Sequence, residues 1–444
     1  MRDGTQLAAD IQAGESAESI VAGVLERIHA SPLNAFTVVL DEPALAAARA
    51  ADALVAAGGP APPLLGVPVS VKDHIWMAGA PATNGSLAYR DFVPDEDCLA
   101  VARLRAAGAV IVGKTNNPEF CYRGFTDNAL FGLTRNPWRP DRTPGGSSGG
   151  AAAAVAAGLG PFAIGTDGGG SIRIPASFCG VVGHKPTLGR VPNLPGFLAW
   201  PSLSVDGPIT RSVRDAALLL SVLEDPGSPD AGPGRTGRVA YAEDLGGLPV
   251  ETDVRTVFRD ALEVFAGLGY DLVEAHPDTP HPTDLWNRVA LPEGYASEGP
   301  LLAHWRDVMT PGVPEIIEAG RGMIVPQEEM ASYARVWDAF FTVYDLLLTP
   351  TMQLTAFPVG VETPATIEGR PVDPFFDDWC TTCLPANLAG IPATSVPAGF
   401  DRLGLPVGLQ IMGPRWADRR TLAAAAAFEG VVPWTRFVPA QGGS

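Results

Sequence analysis

The chain has 444 residues, of which 46% are hydrophobic and 18% charged, a composition typical of a folded globular protein. Its net charge of −18 disfavours a nucleic-acid backbone or an anionic membrane surface as a partner, because both attract a surplus of Lys and Arg. We interpret this charge as a source of solubility.

The first 14 residues mix polar and apolar side chains and lack the continuous apolar run of a signal peptide. The longest apolar stretch, 151–164, is too short to cross a bilayer and is rich in Ala and Gly, which favours a buried helix. The five cysteines are an odd number scattered along the chain, as is typical of a reducing compartment. We therefore expect a cytoplasmic protein.

Helices and short apolar runs alternate in the first third of the chain. Apolar residues repeat at helical spacing after Ser16, a plausible N-cap, and a short apolar run ends on Lys72. The spacing predicts helices over 16–30, 43–57 and 98–107, and strands over 65–72 and 109–114. This alternation predicts an α/β fold.

Two glycine-rich turns, each carrying a serine, lie 24 residues apart. They are Gly145-Gly146-Ser147-Ser148-Gly149-Gly150, which precedes a predicted helix over 151–157, and Gly165-Thr166-Asp167-Gly168-Gly169-Gly170-Ser171. Consecutive glycines expose backbone N–H groups, and such a nest of donors can stabilise an oxyanion beside a serine hydroxyl. A tight turn after a strand explains either motif alone equally well, so a catalytic role for either turn is only a hypothesis.

The rest of the chain combines predicted strands and helices, with a long helical segment between them. A strand is predicted over 162–165, a helix over 211–223 and a loop over 225–236. Residues from 237 to about 330 are helical in pattern, and we expect them to form a variable cap or an insertion within the domain. Residues 346–350 have the pattern of a strand, and residues 387–410 again have the pattern of an α/β fold.

A serine hydroxyl needs a base to take its proton, and two residue types compete for this role. The chain has only three lysines, Lys72, Lys114 and Lys185, against 28 arginines, which suggests that lysine serves where arginine cannot. Lys72 ends an apolar run whose burial would favour the neutral amine, although an ion pair with Asp73 is an alternative. Because His74 and His184 also lie near the glycine turns, the residues alone leave the base open between Lys and His.

Several ordered motifs together resemble the amidase signature family. They are Gly66-Val67-Pro68-Val69-Ser70-Val71-Lys72-Asp73, Gly113-Lys114-Thr115-Asn116, Asn136-Pro137-Trp138, the two serine turns with Ile172-Arg173-Ile174-Pro175-Ala176, Gly183-His184-Lys185-Pro186-Thr187, Asn387-Leu388-Ala389-Gly390 and Gly404-Leu405-Pro406-Val407-Gly408-Leu409-Gln410. The resemblance covers roughly 60–220 and 340–430. It implies a single large domain over 1–444, with a signature core over 60–220 and a central mixed β-sheet flanked by helices on both faces.

The resemblance also implies an amidase that forms a seryl acyl-enzyme. In this family the lysine at position 72 is a neutral base, the serine at 147 follows a cis peptide bond and relays the proton, and the serine at 171 is the nucleophile. The matching residues of the oxyanion hole are Gly168, Gly169 and Gly170. Ser148, Asp167 and Arg173 take supporting roles, while Lys114 and Lys185 are structural.

Substrate contacts are expected from the loop that carries Cys121, Tyr122 and Arg123. Arg123 is unusual at its position and is a candidate to bind a carboxylate of the substrate; a surface pair with Asp127 is the alternative. Aromatic residues such as Tyr122 and Trp200 suggest an apolar acyl group, although plain packing accounts for them too.

Other functions fit the sequence less well. Gly145 to Gly149 matches the nucleophile elbow of α/β-hydrolases, but the proline-rich stretch before it cannot be a central strand. The amidase subunit of a tRNA-dependent amidotransferase is the alternative within the family, yet Ile174 stands where those subunits generally have Gln. A scaffold without activity would have no reason to retain Lys72, Ser147 and Ser171.

We expect a small-molecule amide as the ligand, without a cofactor, a metal, a nucleic acid or a membrane. Cys380 and Cys383 form a lone C-x-x-C in an apolar setting, which favours core cysteines over a zinc site. The sequence does not determine the oligomeric state, and a homodimer is one hypothesis.

Overall fold

A computed structural model describes residues 2–197, 199–234, 237–373 and 378–439. The helices are α1 (Gly4–Gln12), α2 (Ala17–Ala30), α3 (Asp41–Ala56), α4 (Leu99–Ala106), α5 (Gly149–Ala156), α6 (Arg173–Cys179), α7 (Val213–Leu223), α8 (Thr252–Gly267), α9 (Pro282–Glu298), α10 (Leu302–Trp305), α11 (Val313–Ala319), α12 (Gln327–Phe340), α13 (Leu384–Leu388) and α14 (Asp418–Val431). The strands are β1 (Phe36–Val39), β2 (Pro68–Lys72), β3 (Val110–Thr115), β4 (Phe162–Asp167), β5 (Val182–Lys185), β6 (Val205–Thr210), β7 (Arg238–Tyr241), β8 (Asp271–Glu274), β9 (Leu346–Pro350), β10 (Thr366–Ile367), β11 (Arg370–Pro371), β12 (Ala393–Phe400) and β13 (Pro406–Met412).

Within the described residues, eleven strands form one mixed sheet in the order β1-β3-β2-β4-β6-β5-β12-β13-β9-β7-β8. The strands in its middle are buried along their whole length, which requires helices to cover both faces of the sheet. This is the single α/β domain that the sequence predicts.

The helices and strands of the first third lie within a few residues of their predicted bounds. Helix α2 begins after Ser16, whose Oγ accepts a hydrogen bond from the N–H of Ser19, so the predicted N-cap is confirmed. The apolar face of α2, with Val21, Val24 and Ile28, is buried in the main core.

The segment 237–330 departs from the expectation of a purely helical cap. It contributes β7 and β8, which pair in parallel and extend one edge of the central sheet beyond β9. Each strand has only four residues, and β8 at the sheet edge is half-exposed, so neither shows the continuous apolar run of an interior strand. The strands β7 and β8 are therefore part of the sheet, whereas α8, between them, and α9 to α12 supply the helical portion that was expected.

The neighbours of β2 decide where the functional residues meet. β2 lies between β3 and β4 and is parallel to both. The carboxyl ends of parallel strands lie at the same edge of a sheet, so Lys72 at the end of β2 is brought next to Thr166 and Asp167 at the end of β4.

No helix in the described portion of the chain is long and apolar enough to cross a membrane.

Candidate active site

Lys72 is fully buried at the carboxyl end of β2. Its Nζ lies 2.6 Å from Ser147 Oγ and 2.7 Å from Thr166 Oγ1, both within hydrogen-bonding distance. Burial lowers the pKa of Lys72, and the smaller opposing effects come from nearby acidic groups such as Cys121 and Asp206. The arrangement favours a neutral amine in contact with a serine hydroxyl.

Ser147 lies on a turn that is packed too tightly for side chains at its glycines. A Cβ at Gly146 would stand 2.6 Å from the carbonyl oxygen of Phe125, and Gly145 has φ +79°. The Gly146–Ser147 peptide bond is cis, as the family resemblance implies. Thr126 Oγ1 donates a hydrogen bond to the carbonyl of Gly145 and so holds the turn from outside.

Ser148 connects the Ser147 turn to the Ser171 turn through its backbone and side chain. Its N–H donates to the carbonyl of Ser171 at 3.1 Å. Its Oγ donates to the carbonyl of Thr166 and accepts from the N–H of the same residue, both at 3.2 Å. Ser148 thus joins the two turns and fixes the distance between the two serines.

Asp167 organises the backbone that carries Ser171. Its carboxylate accepts hydrogen bonds from the N–H groups of Gly170 (2.8 Å) and Ile172 (3.1 Å). Arg173 binds the same carboxylate in a bidentate manner, at 2.9 Å for each contact, and both side chains are fully buried. Although burial opposes it, the Arg173 guanidinium holds the pKa of Asp167 well below its ordinary value, so the carboxylate stays charged.

The expected oxyanion donors differ in their availability. The N–H of Gly170 already donates to Asp167, so this residue is a poor donor for a ligand. The N–H groups of Gly168, Gly169 and Ser171 have no acceptor within the described parts of the chain. Trp286, which α9 supplies, donates from Nε1 to the carbonyl of Gly168 at 2.9 Å and so fixes the first residue of the turn.

Two cavities meet at the nucleophile candidate. The first cavity is lined by His74, Phe197, Asp206, Ser147 and other residues, and the second cavity by residues that include Tyr122, Arg123, Trp286 and Asn287. Both cavities are lined by Cys121, Ser171 and Trp200. A group bound at Ser171 can therefore extend in two directions.

Cys121 lies close to Lys72 and His74. Its side chain is buried, and burial by itself would raise the pKa of the thiol. The adjacent Lys72 and His74 outweigh this effect and lower the pKa to about 6.

Tyr122 and Arg123, also expected to contact substrate, line the second cavity. Tyr122 Oη donates to Glu298 at 3.0 Å, and its ring packs edge-on against Trp200. Arg123 Nη2 lies 3.7 Å from Glu362 and donates to the carbonyl of Pro311, so its neighbours differ from the suggested Asp127.

The two histidines considered as alternative bases, His74 and His184, do not contact Ser147 in the described residues; each has other hydrogen-bond partners. His74 lines the first cavity, but its Nδ1 lies 2.9 Å from Asn84 Oδ1, while Lys72 is the residue in contact with Ser147. His184 is buried between Thr394 and Asp418.

Lys114 Nζ donates to three backbone carbonyls, a structural role. Cys380 and Cys383 are buried and are not joined in a disulfide. The described residues contain no group of three or more His, Cys, Asp or Glu side chains suited to hold a metal.

Sequence reasoning missed Thr166, Asp206, Trp286 and Asn287. Thr166 lies inside the glycine-rich turn that carries Ser171, but its contact with Lys72 depends on the pairing of β2 with β4. Asp206 is next to Thr166 only through the antiparallel register of β4 and β6. Trp286 and Asn287 come from the segment that the motifs do not cover, and no local pattern marks them.

Comparisons with known proteins extend the match along the chain. The model of the amidase family matches residues 19–304 and 315–422, which includes most of the segment left uncovered by the motifs. An acylamidase of Rhodococcus erythropolis is 39% identical over 405 residues, covering 85% of this chain and 84% of that protein. A glutamyl-tRNA(Gln) amidotransferase subunit of Moorella thermoacetica is 38% identical over 480 aligned positions, covering 96% of each.

The solved structures agree with the family match. A bacterial aryl acylamidase of the amidase signature family superposes with a TM-score of 0.91 at 31% identity, covering 100% of this chain and 99% of that one. A 6-aminohexanoate cyclic dimer hydrolase, solved with its substrate, superposes with a TM-score of 0.87 at 29% identity, covering 99% and 98%.

Proposed function

This chain belongs to the amidase family and hydrolyses carbon–nitrogen amide bonds, and we propose that Lys72, Ser147 and Ser171 are its catalytic triad. The observation that carries the proposal is the 2.6 Å contact between the buried Lys72 Nζ and Ser147 Oγ. Ser147 and Ser171 line one cavity, and Ser148 joins their turns. The contacts support a proton path from Ser171 through Ser147 to Lys72.

The reaction begins with removal of a proton from Ser171. Neutral Lys72 accepts a proton from Ser147, which in turn accepts the proton of Ser171 as its Oγ attacks the amide carbonyl carbon. The N–H groups of Gly168, Gly169 and Ser171 are the available donors to the oxyanion, and each such donor is worth about 3 kcal/mol of the barrier. Thr166 Oγ1, at 2.7 Å, keeps Lys72 Nζ aimed at Ser147.

The tetrahedral intermediate then breaks its carbon–nitrogen bond. Ser147 gives its proton to the leaving nitrogen and regains one from Lys72, so that an amine or ammonia departs. The acyl group remains on Ser171 as an ester. Water then attacks the ester carbon while its proton passes through Ser147 to Lys72. Collapse of this second intermediate releases the acid, and the proton returns through Ser147 to Ser171 Oγ, which restores the free enzyme.

The alternative is the amidase subunit of a tRNA-dependent amidotransferase, which delivers ammonia to a partner. Its support is the similarity to the glutamyl-tRNA(Gln) amidotransferase subunits. The acidic chain and Ile174 in the nucleophile motif favour the independent enzyme. The purified chain alone is therefore expected to hydrolyse small amides, and activity that requires added partner proteins and charged tRNA would favour the alternative.

We further propose that the substrate is a small-molecule amide and that the enzyme works in the cytoplasm. The five cysteines are buried and are not disulfide-bonded to one another, which supports a reducing location. A homodimer stays a hypothesis, which sedimentation velocity of the purified chain tests directly.

The triad is tested by covalent capture of the nucleophile. A fluorophosphonate is expected to inactivate the enzyme and to add to Ser171, as mapped by mass spectrometry of the digested protein. The variant Ser171→Ala is expected to fold, to lose hydrolysis and to resist labelling. Ser204→Ala is the matched control, because Ser204 lines the same cavity outside the triad. Retained hydrolysis in Ser171→Ala would exclude this serine as the nucleophile.

A further inference from the structure

Asp206 is a buried acid beside the catalytic lysine that the mechanism above does not use. It lies on β6 directly opposite Thr166 on β4. Residues paired across neighbouring strands project to the same face of the sheet, and Thr166 is the residue that contacts Lys72 Nζ. The Asp206 side chain therefore lies next to the triad, and it lines the first cavity.

The carboxyl group of Asp206 has no partner that explains its burial. The residue is only 4% exposed and lines the first cavity, and none of the described residues donates a hydrogen bond to its side chain or forms an ion pair with it. Burying an acid without a donor costs free energy, so such groups are typically retained where a ligand supplies the donor. Since the carboxyl group lines the first cavity, that donor would come from a molecule bound there.

The position of Ser147 shows which part of a substrate enters the first cavity. Ser147 lines the first cavity, and among the residues described it is not part of the wall of the second. In the proposed mechanism Ser147 gives its proton to the leaving nitrogen, so this nitrogen must lie on the side of the first cavity. The acyl group then extends into the second cavity.

The wall of the first cavity is aromatic. Phe197, His74 and Trp76 line it, and the ring of Phe197 lies 5.6 Å from that of His74 and 5.7 Å from that of Trp76. Tyr89, which is not part of this wall, packs 4.9 Å from the same ring. Such a cluster presents flat apolar surface, which packs well against another ring. Together with one acid, this surface fits an amine whose nitrogen is attached to an aromatic ring.

We propose that Asp206 recognises the leaving amine of an N-aryl amide. Its carboxylate accepts a hydrogen bond from the N–H of the scissile amide, while the aryl ring packs against Phe197. The bond from the carbonyl carbon to nitrogen breaks, the nitrogen takes its proton from Ser147, and Asp206 neither gains nor loses a proton. This inference rests on the proposed triad, because Ser147 defines the leaving-group side.

The test compares an anilide with the phenyl ester of the same acid. The two substrates share an acyl group and an aromatic ring, but only the anilide has an N–H for Asp206 to bind. Burial raises the pKa of Asp206 to about 7, so both rates are measured above that pH, where the carboxylate is charged. In Asp206→Ala, kcat/KM for the anilide is expected to fall at least tenfold further than kcat/KM for the ester, about the value of one hydrogen bond to a charged group. Asp206→Asn is expected to lose less, because its amide oxygen still accepts a hydrogen bond, though more weakly.

The outcomes separate this inference from the triad. If Asp206→Ala and Asp206→Asn lower the anilide and ester rates equally, Asp206 acts through Lys72 or through folding, and the inference is wrong. If Asp206→Ala does not fold, Asp206→Asn decides the question, and an unchanged anilide-to-ester ratio in that variant overturns it. Hydrolysis of either substrate by Ser171→Ala would instead refute the triad.

Discussion

Replacement of Lys72 by arginine tests the central chemical claim, because arginine stays protonated and cannot act as the base. Lys72 Nζ contacts two hydroxyl groups at 2.6 and 2.7 Å inside a fully buried site. An arginine there cannot lose its proton, and its larger guanidinium must displace Ser147 or Thr166. General-base catalysis contributes about 10²- to 10⁴-fold, so we expect kcat of Lys72→Arg to fall about 10³-fold.

The pH dependence gives the same variant a second readout. Burial lowers the pKa of Lys72, so the neutral, active form appears at a pH below the ordinary lysine value. In the wild type, kcat/KM should rise with pH through this lowered pKa and be lost as pH falls below it. Lys72→Arg should lose this rise, which steady-state assays from pH 6 to 10 on one amide substrate measure.

Lys114→Arg is the matched control for the cost of placing arginine at a buried lysine. Lys114 is also fully buried, but its Nζ donates to three backbone carbonyls and, among the described residues, to no side-chain hydroxyl. This variant should unfold at a lower temperature while each folded molecule retains its rate. A Lys72→Arg enzyme with more than a tenth of the wild-type kcat would refute lysine as the base and return attention to His74.

Three further variants probe the framework of the site. Trp286→Phe retains the ring but removes the hydrogen bond to the carbonyl of Gly168, so kcat should fall about fivefold with little change in KM; a change in KM alone would mean that Trp286 only packs against substrate. Arg173→Met leaves the Asp167 carboxylate buried without its cation and should lower the free energy of unfolding by about 3–5 kcal/mol in urea denaturation, whereas a loss below 1 kcal/mol would contradict the structural role of the pair. Burial would raise the pKa of Asp418, but its buried basic neighbours lower it to about 2, below the unfolded value of about 3.9. This carboxylate therefore contributes about 2.5 kcal/mol of stability that is present above pH 4 and lost as pH falls to 2, and Asp418→Asn should flatten that part of the stability profile.

The triad candidates could be found from the sequence because their signals are local. Ser147 and Ser171 lie on glycine-rich turns, and Lys72 ends an apolar strand, all within a few residues of each signal. Residue chemistry alone left Lys and His open as the base, and the family resemblance favoured Lys72. The contact between Lys72 and Ser147 requires β2 and the Ser147 turn to meet, which is a property of the fold.

Errors arose where a residue's neighbours are distant in the chain. The short strands β7 and β8 lie at one edge of the sheet: β7 pairs with β9, which is distant in the chain, and β8 pairs with β7, so the local pattern indicated only helices. Gly170 was expected to stabilise an oxyanion, yet its N–H binds Asp167. Consecutive glycines show that donors are exposed, but not which acceptor each donor finds.

The sequence by itself determined the α/β class, the single domain, the family and the candidate residues for catalysis. Periodicity, turn composition and motif order are all properties of contiguous residues, so they can be recognised without knowledge of the fold. Only the tertiary structure decided which donors of the Ser171 turn are free, and that two cavities meet at Ser171. It also put Asp206 beside Thr166, since strand register and helix packing join residues that no local pattern connects.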